Sequence, residues 1–519
     1  DQQSAALRQL GVDAWTAVVD VAAADKLAYQ VWLGEAADSG QLAAASAQAA
    51  KLAPGAAVQP VDAAASYLLK RDDVTASMAS GPETAIAHYT FNPAGSKLLA
   101  VPKDGGIAIA EKSGRRYRGS IELSVYNNKL AVVNELPFEQ YLVSVVGAEM
   151  SPAWPAEALK AQAVTARSFA LSLGNKYAIA NVSDSTADQV YYGIDKEDAK
   201  VAAAVSATAG ELLTANGALI TPFFYSNGGG MTGDPVEVWG QPNANLKATA
   251  SPDDGASKNK PIWYNVLLPS GVTGYVRQDF ITDTGEKNGA GLPVVTVKGN
   301  SVNVRAAPYV DDTANGAIGS VNQGSKLVAL GKTTESNEYA WIRGPYKADA
   351  LLKEINLTIT NPLTGKLESL EVSKRGPSGR ATELTANGKP IAVAKSDQYR
   401  TALFDAPSTR FEIEQTGRYT VWGAGGQTAS LSETSKPMYA ASSFNGSAAP
   451  VAGTSSMVAI GAAGAVRAIT KDTQFRLTGY GFGHGLGMSQ WGARGLAEQG
   501  YDYKRILQHY YLGITIGKE

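Results

Sequence analysis

The sequence predicts an α+β protein in which a strand-rich mixed core surrounds one central helix and carries smaller modules. The strands are indicated by 23 Tyr residues with many Val and Thr, separated by turn formers that include 54 Gly and 23 Pro. The central helix is indicated by an Ala-rich run after Pro155, which has high helix propensity. A chain of 519 residues has room for about three or four domains.

The composition limits the possible functions. The chain carries 46 Lys and Arg against 48 Asp and Glu, which argues against a nucleic-acid-binding protein that relies on bulk positive charge. It has no cysteine, which excludes a disulfide framework, a thiolate metal site and a Cys nucleophile. Its apolar stretches are too short for a transmembrane segment. The absence of cysteine fits a secreted, extracellular protein, and we expect that its leader has been removed and that it carries no metal or other cofactor.

The stretch 143–167 is the predicted centre of the fold. The apolar run before Glu149 predicts a buried strand that ends at this acid. A carboxyl group that emerges where an apolar strand ends has a raised pKa, which suits a proton donor. The alternative is that Glu149 is a helix-capping or surface acid.

The helix after Glu149 carries two cations. Pro155 fits its first position, and Glu157 lies in its first turn near the positive end of the helix dipole. With 3.6 residues per turn, Lys160 and Arg167 share one stripe of a largely buried helix. We expect them to bind an anionic or polar ligand or to form salt bridges with carboxylates of the core.

Changes of pattern predict four regions along the chain. Residues 1–75 follow the order strand, strand, helix, strand and faintly resemble SPOR-type modules that bind wall glycans; an accessory packing domain is the alternative. Residues 80–270 and 351–519 are predicted to be the two halves of one core. Residues 290–350 resemble a bacterial SH3-like barrel, through a Val-Asn-Val-Arg motif that ends at Arg305 and a late Trp341. The Ser/Ala/Gly-rich residues 427–465 are predicted to form a long loop.

Several local signals are more specific. Asn127-Asn128 and Asn387-Gly388 predict hairpin turns, and residues 376–380 predict a tight turn. In residues 479–487, glycines alternate with bulkier residues. If this run is extended, one of its faces is bare backbone and the other carries side chains. A terminal helix is predicted for residues 503–511.

Six motifs, in the same order, resemble those of the stage II sporulation protein D / LytB family. They occupy residues 147–150, 157–167, 189–191, 225–229, 238–240 and 483–493. The resemblance covers about residues 85–270 and 351–519. It implies a lytic transglycosylase that cleaves peptidoglycan glycan strands, preferably stripped of peptides, and leaves 1,6-anhydro-N-acetylmuramyl ends. Because other relatives are amidase enhancers, the alternative is a non-catalytic wall-binding enhancer with an N-acetylmuramoyl-L-alanine amidase as its partner.

The resemblance also implies that Glu149 is the catalytic acid. One carboxyl group can protonate the glycosidic oxygen and then, as a carboxylate, remove the proton from the C6 hydroxyl of the sugar. A hydrolase would normally need a second carboxylate, and the sequence offers only the nearby Asp184, Glu237 and Asp253. Some family members hold zinc through cysteines, and this chain has none.

Further residues are candidates for substrate binding. Gln189 and Tyr191 are candidates for orienting or stacking on a sugar, although a Tyr in a strand more often packs in a core. Ser226 precedes three glycines, which predicts either a ligand-binding backbone or a bulge. His484 has little bulk around it, which favours a role in binding substrate or positioning Glu149. The full set is Lys160, Arg167, Gln189, Tyr191, Tyr225, Ser226, His484, Ser489 and Gln490.

Overall fold

The fold is described from a computed structural model. It describes residues 2–21, 26–34, 36–52, 54–55, 59–61, 67–71, 76–77, 84–85, 88–91, 97–268, 272–288, 292–415, 418–422, 428–432, 439–441, 448–450, 456–460, 466–470 and 473–518. The chain divides into two units: the first comprises Asp1–Ser144 and Asn175–Glu197, and the second comprises Val145–Gly174 and Asp198–Glu519. The described helices are α1 Gln2–Gln9, α2 Ser39–Leu52, α3 Phe138–Glu149, α4 Ala156–Leu173, α5 Ala199–Ala207, α6 Pro235–Trp239, α7 Ala348–Thr358, α8 Tyr399–Ala402, α9 Gln490–Glu498 and α10 Tyr503–Tyr510.

Strands dominate both units, so the predicted α+β class is confirmed. The strands of the first unit are β1 Ala14–Val21, β2 Lys26–Leu33, β3 Tyr67–Arg71, β4 Ala76–Ser77, β5 Thr84–Ala85, β6 His88–Phe91, β7 Leu98–Ala100, β8 Ile107–Ile109, β9 Arg115–Tyr117, β10 Ser120–Tyr126 and β11 Lys129–Glu135. Those of the second unit are β12 Glu211–Ala215, β13 Ala218–Leu219, β14 Phe224–Tyr225, β15 Ile262–Leu267, β16 Thr273–Arg277, β17 Ile281–Lys287, β18 Pro293–Val297, β19 Val302–Arg305, β20 Ala317–Val321, β21 Lys326–Thr334, β22 Ala340–Lys347, β23 Leu370–Arg375, β24 Ala381–Ala386, β25 Lys389–Pro390, β26 Phe411–Gln415, β27 Arg418–Trp422, β28 Thr428–Ser432, β29 Tyr439–Ala441, β30 Ala448–Pro450, β31 Ser456–Ile460, β32 Val466–Thr470, β33 Gln474–Tyr480, β34 Met488–Ser489 and β35 Thr515–Lys518.

The first unit begins with an antiparallel sheet in the order β2-β1-β3-β6. The predicted order strand, strand, helix, strand is present as β1, β2, α2 and β3. Farther along, Asn127 and Asn128 have φ angles of 52° and 59° and join β10 to β11. Two successive left-handed residues give the turn that matches strand twist, so the predicted hairpin is confirmed. The SPOR-like identity of the N-terminal region stays a prediction.

Helix α4 is the central helix of the second unit. Eleven of its 18 residues are buried, and it contacts α5, α9, α10 and β12. The many alanines leave room for these neighbours to approach on several sides. Pro155 is the extended cap before the helix, with ψ of 141°, whereas the sequence predicted it as the first helical residue.

The segment before Glu149 is a helix, and the predicted strand is wrong. Helix α3 ends at Glu149. Its buried residues Tyr141, Leu142, Val145 and Val146 recur at the spacing of one helix face. Although valine favours strands, burial on a helical period decides the structure here.

A seven-stranded antiparallel sheet lies between the two halves of the predicted core. Its order is β17-β18-β21-β15-β16-β19-β20, and its core is lined by valines such as Val276, Val295 and Val304. The prediction of an SH3-like barrel at 290–350 needs two corrections. The sheet already begins at β15, and Trp341 belongs to β22, which pairs with β33 in another sheet. The described strands form no closed barrel, because β17 and β20 are opposite edges of the sheet.

The C-terminal part of the second unit contains two three-stranded sheets, β22-β33-β26 and β23-β24-β25. The backbone N–H of Gly376 donates to the carbonyl of Arg380 at 3.0 Å, which confirms the predicted tight turn. Asn387, with φ of 51°, and Gly388 join β24 to β25, as predicted. The stretch 427–465 was predicted to be a loop but contains β28, β29, β30 and β31 in hairpins; its other residues lie outside the described part of the chain.

The glycine-rich run is only partly a strand. Strand β33 ends at Tyr480, and the glycines at 481, 483, 485 and 487 have φ between 79° and 109°. The run is therefore a strand only up to Tyr480, and the condition of an extended run is not met by residues 481–487, which we call the glycine ribbon. A Cβ at Gly487 would lie 1.9 Å from the carbonyl oxygen of Phe223, so the ribbon approaches neighbouring backbone more closely than a side chain allows.

The described helices include none with both the length and the apolar composition needed to cross a bilayer.

Candidate active site

Two short strands bring distant motifs together in the second unit. Strands β14 and β34 pair in parallel, with Phe224 beside Met488 and Tyr225 beside Ser489. The backbone N–H of Trp491 donates to the carbonyl of Ser226 at 3.0 Å. The candidate residues Tyr225, Ser226 and Ser489 are therefore neighbours, as the sequence analysis expected of one site.

Glu149 lies at the C-terminal end of α3 and is partly buried. The side-chain amide of Gln490 donates to Glu149 Oε2 across 2.8 Å. Gln490 is the first residue of α9 and is only 4% exposed. The Ser489 hydroxyl oxygen caps that helix by accepting from the backbone N–H of Gly492 at 3.2 Å. The C-terminal motif is thus in direct contact with the candidate acid.

Asp253 is a buried carboxylate behind this contact. It is 4% exposed, and it accepts hydrogen bonds from the Ser489 hydroxyl, from the Ser251 hydroxyl at 3.0 Å and from the Gly230 N–H at 2.9 Å. Burial raises the pKa of Asp253, and these donors act in the opposite direction. Asp253 therefore fixes Ser489, whose neighbour Gln490 holds the candidate acid.

Tyr225 closes the same cluster from β14. It is 5% exposed, and burial raises the pKa of its hydroxyl. A Cβ at Gly228 would lie 2.8 Å from both the Tyr225 hydroxyl and Asp253 Oδ2. The glycines after Ser226 therefore make room for a buried tyrosine and a buried acid. The two alternatives for this segment, a ligand-binding backbone and a bulge, stay predictions.

The ring of His484 is surrounded by aromatic side chains. Its ring centroid is 5.4 Å from Tyr225, 5.5 Å from Trp239 and 6.5 Å from Phe223. Its Nδ1 accepts the backbone N–H of Leu486 at 3.0 Å, which leaves Nε2 to carry the proton of the neutral ring. Burial lowers the pKa of His484 to about 4. These contacts indicate a neutral ring that positions the glycine ribbon against β14.

The region around this site matches a known protein family. Residues 126–214, which include Glu149 and α4, match the family model described as stage II sporulation protein. The resemblance to the stage II sporulation protein D / LytB family is confirmed.

Individual relatives extend the similarity. An uncharacterized protein of Brachyspira hyodysenteriae is 25% identical over 412 residues, which cover 78% of this chain and 73% of that protein. The amidase enhancer of Bacillus subtilis is 26% identical over 384 residues, covering 72% of this chain and 40% of the enhancer. Stage II sporulation protein D of the same organism is 32% identical over 166 residues, covering 28% of this chain and 48% of that protein. The aligned residues thus span less than half the length of both Bacillus relatives.

Within the region that matches the sporulation-protein model, the two cations of α4 make internal contacts. Lys160 pairs with Glu157 one turn earlier, at 2.7 Å. Arg167 is 1% exposed, and its guanidinium donates to the backbone carbonyls of Glu211 at 3.2 Å and Val205 at 3.3 Å. Lys160 thus forms an ion pair within its own helix, and Arg167 donates to backbone carbonyls. A role in substrate binding stays a prediction for both residues.

The other two candidates of the matched region lie in the first unit. Gln189 accepts a hydrogen bond from the Tyr141 hydroxyl at 3.1 Å, and the Tyr191 hydroxyl donates to Asn134 at 2.7 Å. Gln189 is 1% exposed and Tyr191 5%. Burial raises the pKa of Tyr191. Their described contacts are those of a packed core, whereas the remaining candidates lie in the second unit.

Sequence reasoning missed several residues of this family core. Asp253 was considered only as one of three nearby acids, because nothing local marks it as a partner of Ser489. Trp154, five residues after Glu149, contacts Trp491 with ring centroids 4.9 Å apart, and Trp491 contacts Tyr339 at 5.4 Å. The available signal was the position of the two Trp residues: Trp491 lies within the motif at 483–493, and Trp154 lies between the motifs at 147–150 and 157–167. Among the residues that the structure describes, no cluster of His, Asp and Glu has the arrangement of a metal site.

Proposed function

We propose that this protein is a lytic transglycosylase that cleaves peptidoglycan glycan strands, with Glu149 as general acid and then general base. The observation that carries the proposal is the hydrogen bond from Gln490 to Glu149. It joins the acid of one family motif to the glycine-rich C-terminal motif, so a single polar site is built from both halves of the core.

Two features of the site support both protonation states of Glu149. The C-terminal end of α3 carries partial negative charge, which favours the protonated acid needed for the first step. The N–H of Gln490 favours the carboxylate that forms when the proton leaves. One side chain can therefore donate a proton and later accept one.

The reaction balances with this one residue. Glu149 gives its proton to the glycosidic oxygen as the bond from that oxygen to the anomeric carbon of the muramyl sugar breaks. The resulting carboxylate then takes the proton of the C6 hydroxyl of the same sugar, while O6 bonds to the anomeric carbon. The products are a free hydroxyl on the leaving sugar and a 1,6-anhydro end, and Glu149 is protonated again.

The role of Asp253 supports a transglycosylase over a hydrolase. A hydrolase needs a second carboxylate that activates water or attacks the sugar. The oxygens of Asp253 accept hydrogen bonds from Ser489, Ser251 and Gly230, which suits a positioning group. The sugar's own hydroxyl then takes the part of the nucleophile. The relatives named for sporulation and amidase enhancement support a secreted or wall-associated location.

Digestion of peptide-free glycan strands followed by mass spectrometry tests the proposal. The wild-type protein should release fragments with 1,6-anhydro-N-acetylmuramyl ends, and Glu149→Gln should release none. Glu498→Gln is the matched control, since Glu498 is exposed on α9 and pairs with Arg494. Fragments with reducing ends, or full activity of Glu149→Gln, would refute the proposed mechanism.

The second candidate function is enhancement of a wall amidase. It is favoured by the alignment with the amidase enhancer, which covers 72% of this chain. In that case the wild-type protein would leave glycan strands intact and would speed the release of stem peptides by an added N-acetylmuramoyl-L-alanine amidase. Glu149→Gln would then enhance the amidase as well as the wild type does.

A further inference from the structure

We propose that the second unit contains an additional glycan-binding subsite, in a cleft where the seven-stranded sheet and β22 meet the core. Its ligand would be a neutral, peptide-free β-linked amino-sugar chain. The inference rests on the proposed function, since it extends the substrate path away from Glu149.

The cleft has the size and lining of a small-ligand site. Its volume is about 420 Å³, within the range typical of ligand pockets. Its walls include the aromatic residues Tyr339, Trp341 and Tyr480, together with hydroxyl groups of Ser257 and Thr333. Tyr480 is 51% exposed, so its ring is accessible to a ligand in the cleft.

A row of aromatic rings leads from the cleft toward the acid. Tyr339 lies 5.4 Å from Trp491, and Trp491 lies 4.9 Å from Trp154, measured between ring centroids. The interplanar angles are 58° and 61°, so the rings of each pair are strongly inclined and do not form parallel stacks. The apolar C–H faces of sugars bind to aromatic faces, and hydroxyls at their rims bind polar groups.

The row is held in place by polar contacts. The carbonyl of Tyr339 accepts a hydrogen bond from the backbone N–H of Gly481 at 2.7 Å. The backbone N–H of Tyr339 donates to the Asn337 side chain at 2.7 Å. The Trp341 indole N–H donates to the carbonyl of Gly481 at 3.1 Å. The glycine ribbon therefore fixes the aromatic residues of this segment relative to the core, which lowers the ordering cost of binding.

The charges of the cleft define the ligand further. Its carboxylates are Asp253, which is buried, and Asp254, whose side chain is 71% exposed and forms a 3.4 Å ion pair with Lys258. Carboxylates disfavour anionic ligands such as phosphates or the carboxyl-rich stem peptides of peptidoglycan, and they accept hydrogen bonds from sugar hydroxyls. The lining therefore matches a neutral glycan better than a peptide or a nucleic acid.

Fluorine NMR of protein labelled with 5-fluorotryptophan provides a local test. The parent protein is Glu149→Gln, which prevents turnover, and the probe is the β-1,4-linked tetramer of N-acetylglucosamine. The resonance of Trp491, assigned by its loss in Trp491→Phe, should shift on titration. In Tyr339→Ala combined with Tyr480→Ala, the affinity reported by this resonance should fall about tenfold, the effect expected of a central aromatic contact.

Phe280→Ala is the matched control, because Phe280 is an exposed aromatic residue next to the same sheet but does not line the cleft. The affinity of this variant for the tetramer should stay within about twofold of the parent. A Trp491 resonance that does not respond to millimolar tetramer, or unchanged affinity in the double variant, would overturn the subsite. Cleavage is measured separately on the wild-type chain. If the wild type produces anhydro ends but the double variant binds the tetramer as tightly as its parent, the subsite alone is refuted. If the parent binds the tetramer but the wild type cleaves no strands, the proposed function alone is refuted.

Discussion

Helix α4 and the glycine ribbon both contain residues that the sequence marked as functional, but their side chains act in different ways. On α4, Arg167 donates to backbone carbonyls and Lys160 pairs with its own helix. After the ribbon, Ser489 and Gln490 reach a buried acid and the candidate catalytic acid. Polar groups on the buried helix therefore bond to neighbouring parts of the scaffold, whereas those that follow the ribbon contact Asp253 and the candidate acid.

The physical reason is what each segment packs against. A helix surrounded on several sides must satisfy its own polar groups among fixed neighbours, because an unpaired buried donor is costly. A segment made half of glycine brings its backbone close to other strands, so the buried Ser489 and Gln490 that follow it contact acids from distant parts of the chain. The following predictions test this difference, starting with the largest effect.

Gly487→Ala should destabilise the second unit by more than about 3 kcal/mol. A Cβ there would lie 1.9 Å from the carbonyl oxygen of Phe223, and φ is +79°, so both a clash and backbone strain oppose the substitution. The free energy of unfolding from denaturant titration measures the loss. Gly513→Ala is the control, because φ is +64° but no atom lies within 4 Å; it should cost about 1 kcal/mol. Equal losses for the two would contradict the close-packed ribbon.

Arg167→Met should lower the free energy of unfolding by about 2 to 3 kcal/mol, because the carbonyls of Val205 and Glu211 lose a buried donor. Cleavage per folded molecule should stay within about twofold of wild type, since the lost contacts are internal to the scaffold. Denaturant titration and a glycan digest of the same preparation give the two values. A tenfold loss of activity in fully folded protein would return Arg167 to the substrate-binding set.

His484 should make stability depend on pH. Because its pKa in the folded protein is lowered to about 4 from the ordinary 6.5, the native state binds fewer protons than the unfolded chain between these values. The free energy of unfolding that the neutral His484 ring contributes is fully present above pH 6.5. About 2 to 3 kcal/mol of it is lost as the pH falls toward 4. Unfolding of wild type and His484→Gln at pH 7 and pH 4.5 measures this. His509→Gln, on α10, is the matched control, and a pH dependence that persists in His484→Gln would show that other groups cause it.

Gln490→Leu should lower kcat about tenfold to a hundredfold, because it removes the hydrogen bond to the carboxylate of Glu149. Leucine has a similar size, so the melting temperature should change little. Initial rates of glycan cleavage and thermal unfolding provide the readouts. Gln499→Leu, at the exposed end of the same helix, should behave as wild type; a Gln490→Leu protein with normal kcat would show that the contact does not serve catalysis.

Lys160→Met should have the smallest effect, within about 0.5 kcal/mol of stability, because its pair with Glu157 is a partly exposed contact within one helix. Activity should be unchanged in the same glycan digest. Lys504→Met on α10 provides a comparison at another exposed lysine. If Lys160→Met raised KM severalfold while Lys504→Met did not, α4 would contribute to the site after all.

The parts of the structure that were predicted correctly depend on local chemistry. Asn127-Asn128 forms its turn because both residues adopt left-handed angles. The α4 helix follows from an alanine-rich run with a proline at its start. The prediction of a strand before Glu149 was wrong because the apolar residues of α3 also fit a helical period. Contacts made elsewhere in the fold decide between helix and strand.

The site was only partly predictable for a similar reason. The family resemblance was enough to propose Glu149, Ser489 and Gln490 as candidates for one site. It could not show that Asp253 lies behind Ser489 or that Tyr339 lies beside Trp491. These contacts join residues far apart in the chain, and no periodicity or local turn signal encodes them.

The long-range pairing of the core also determines when the candidate site can form during folding. Gln490 and Glu149 are 341 residues apart, and Tyr511 bonds to Phe223 across 288 residues. Contacts of such separation close late in folding, because the intervening chain must first be ordered. A ribosome that still holds the final helices therefore holds a chain in which Glu149 has not yet met the Gln490 amide. The candidate site is completed only when the last part of the chain has been synthesised and packed.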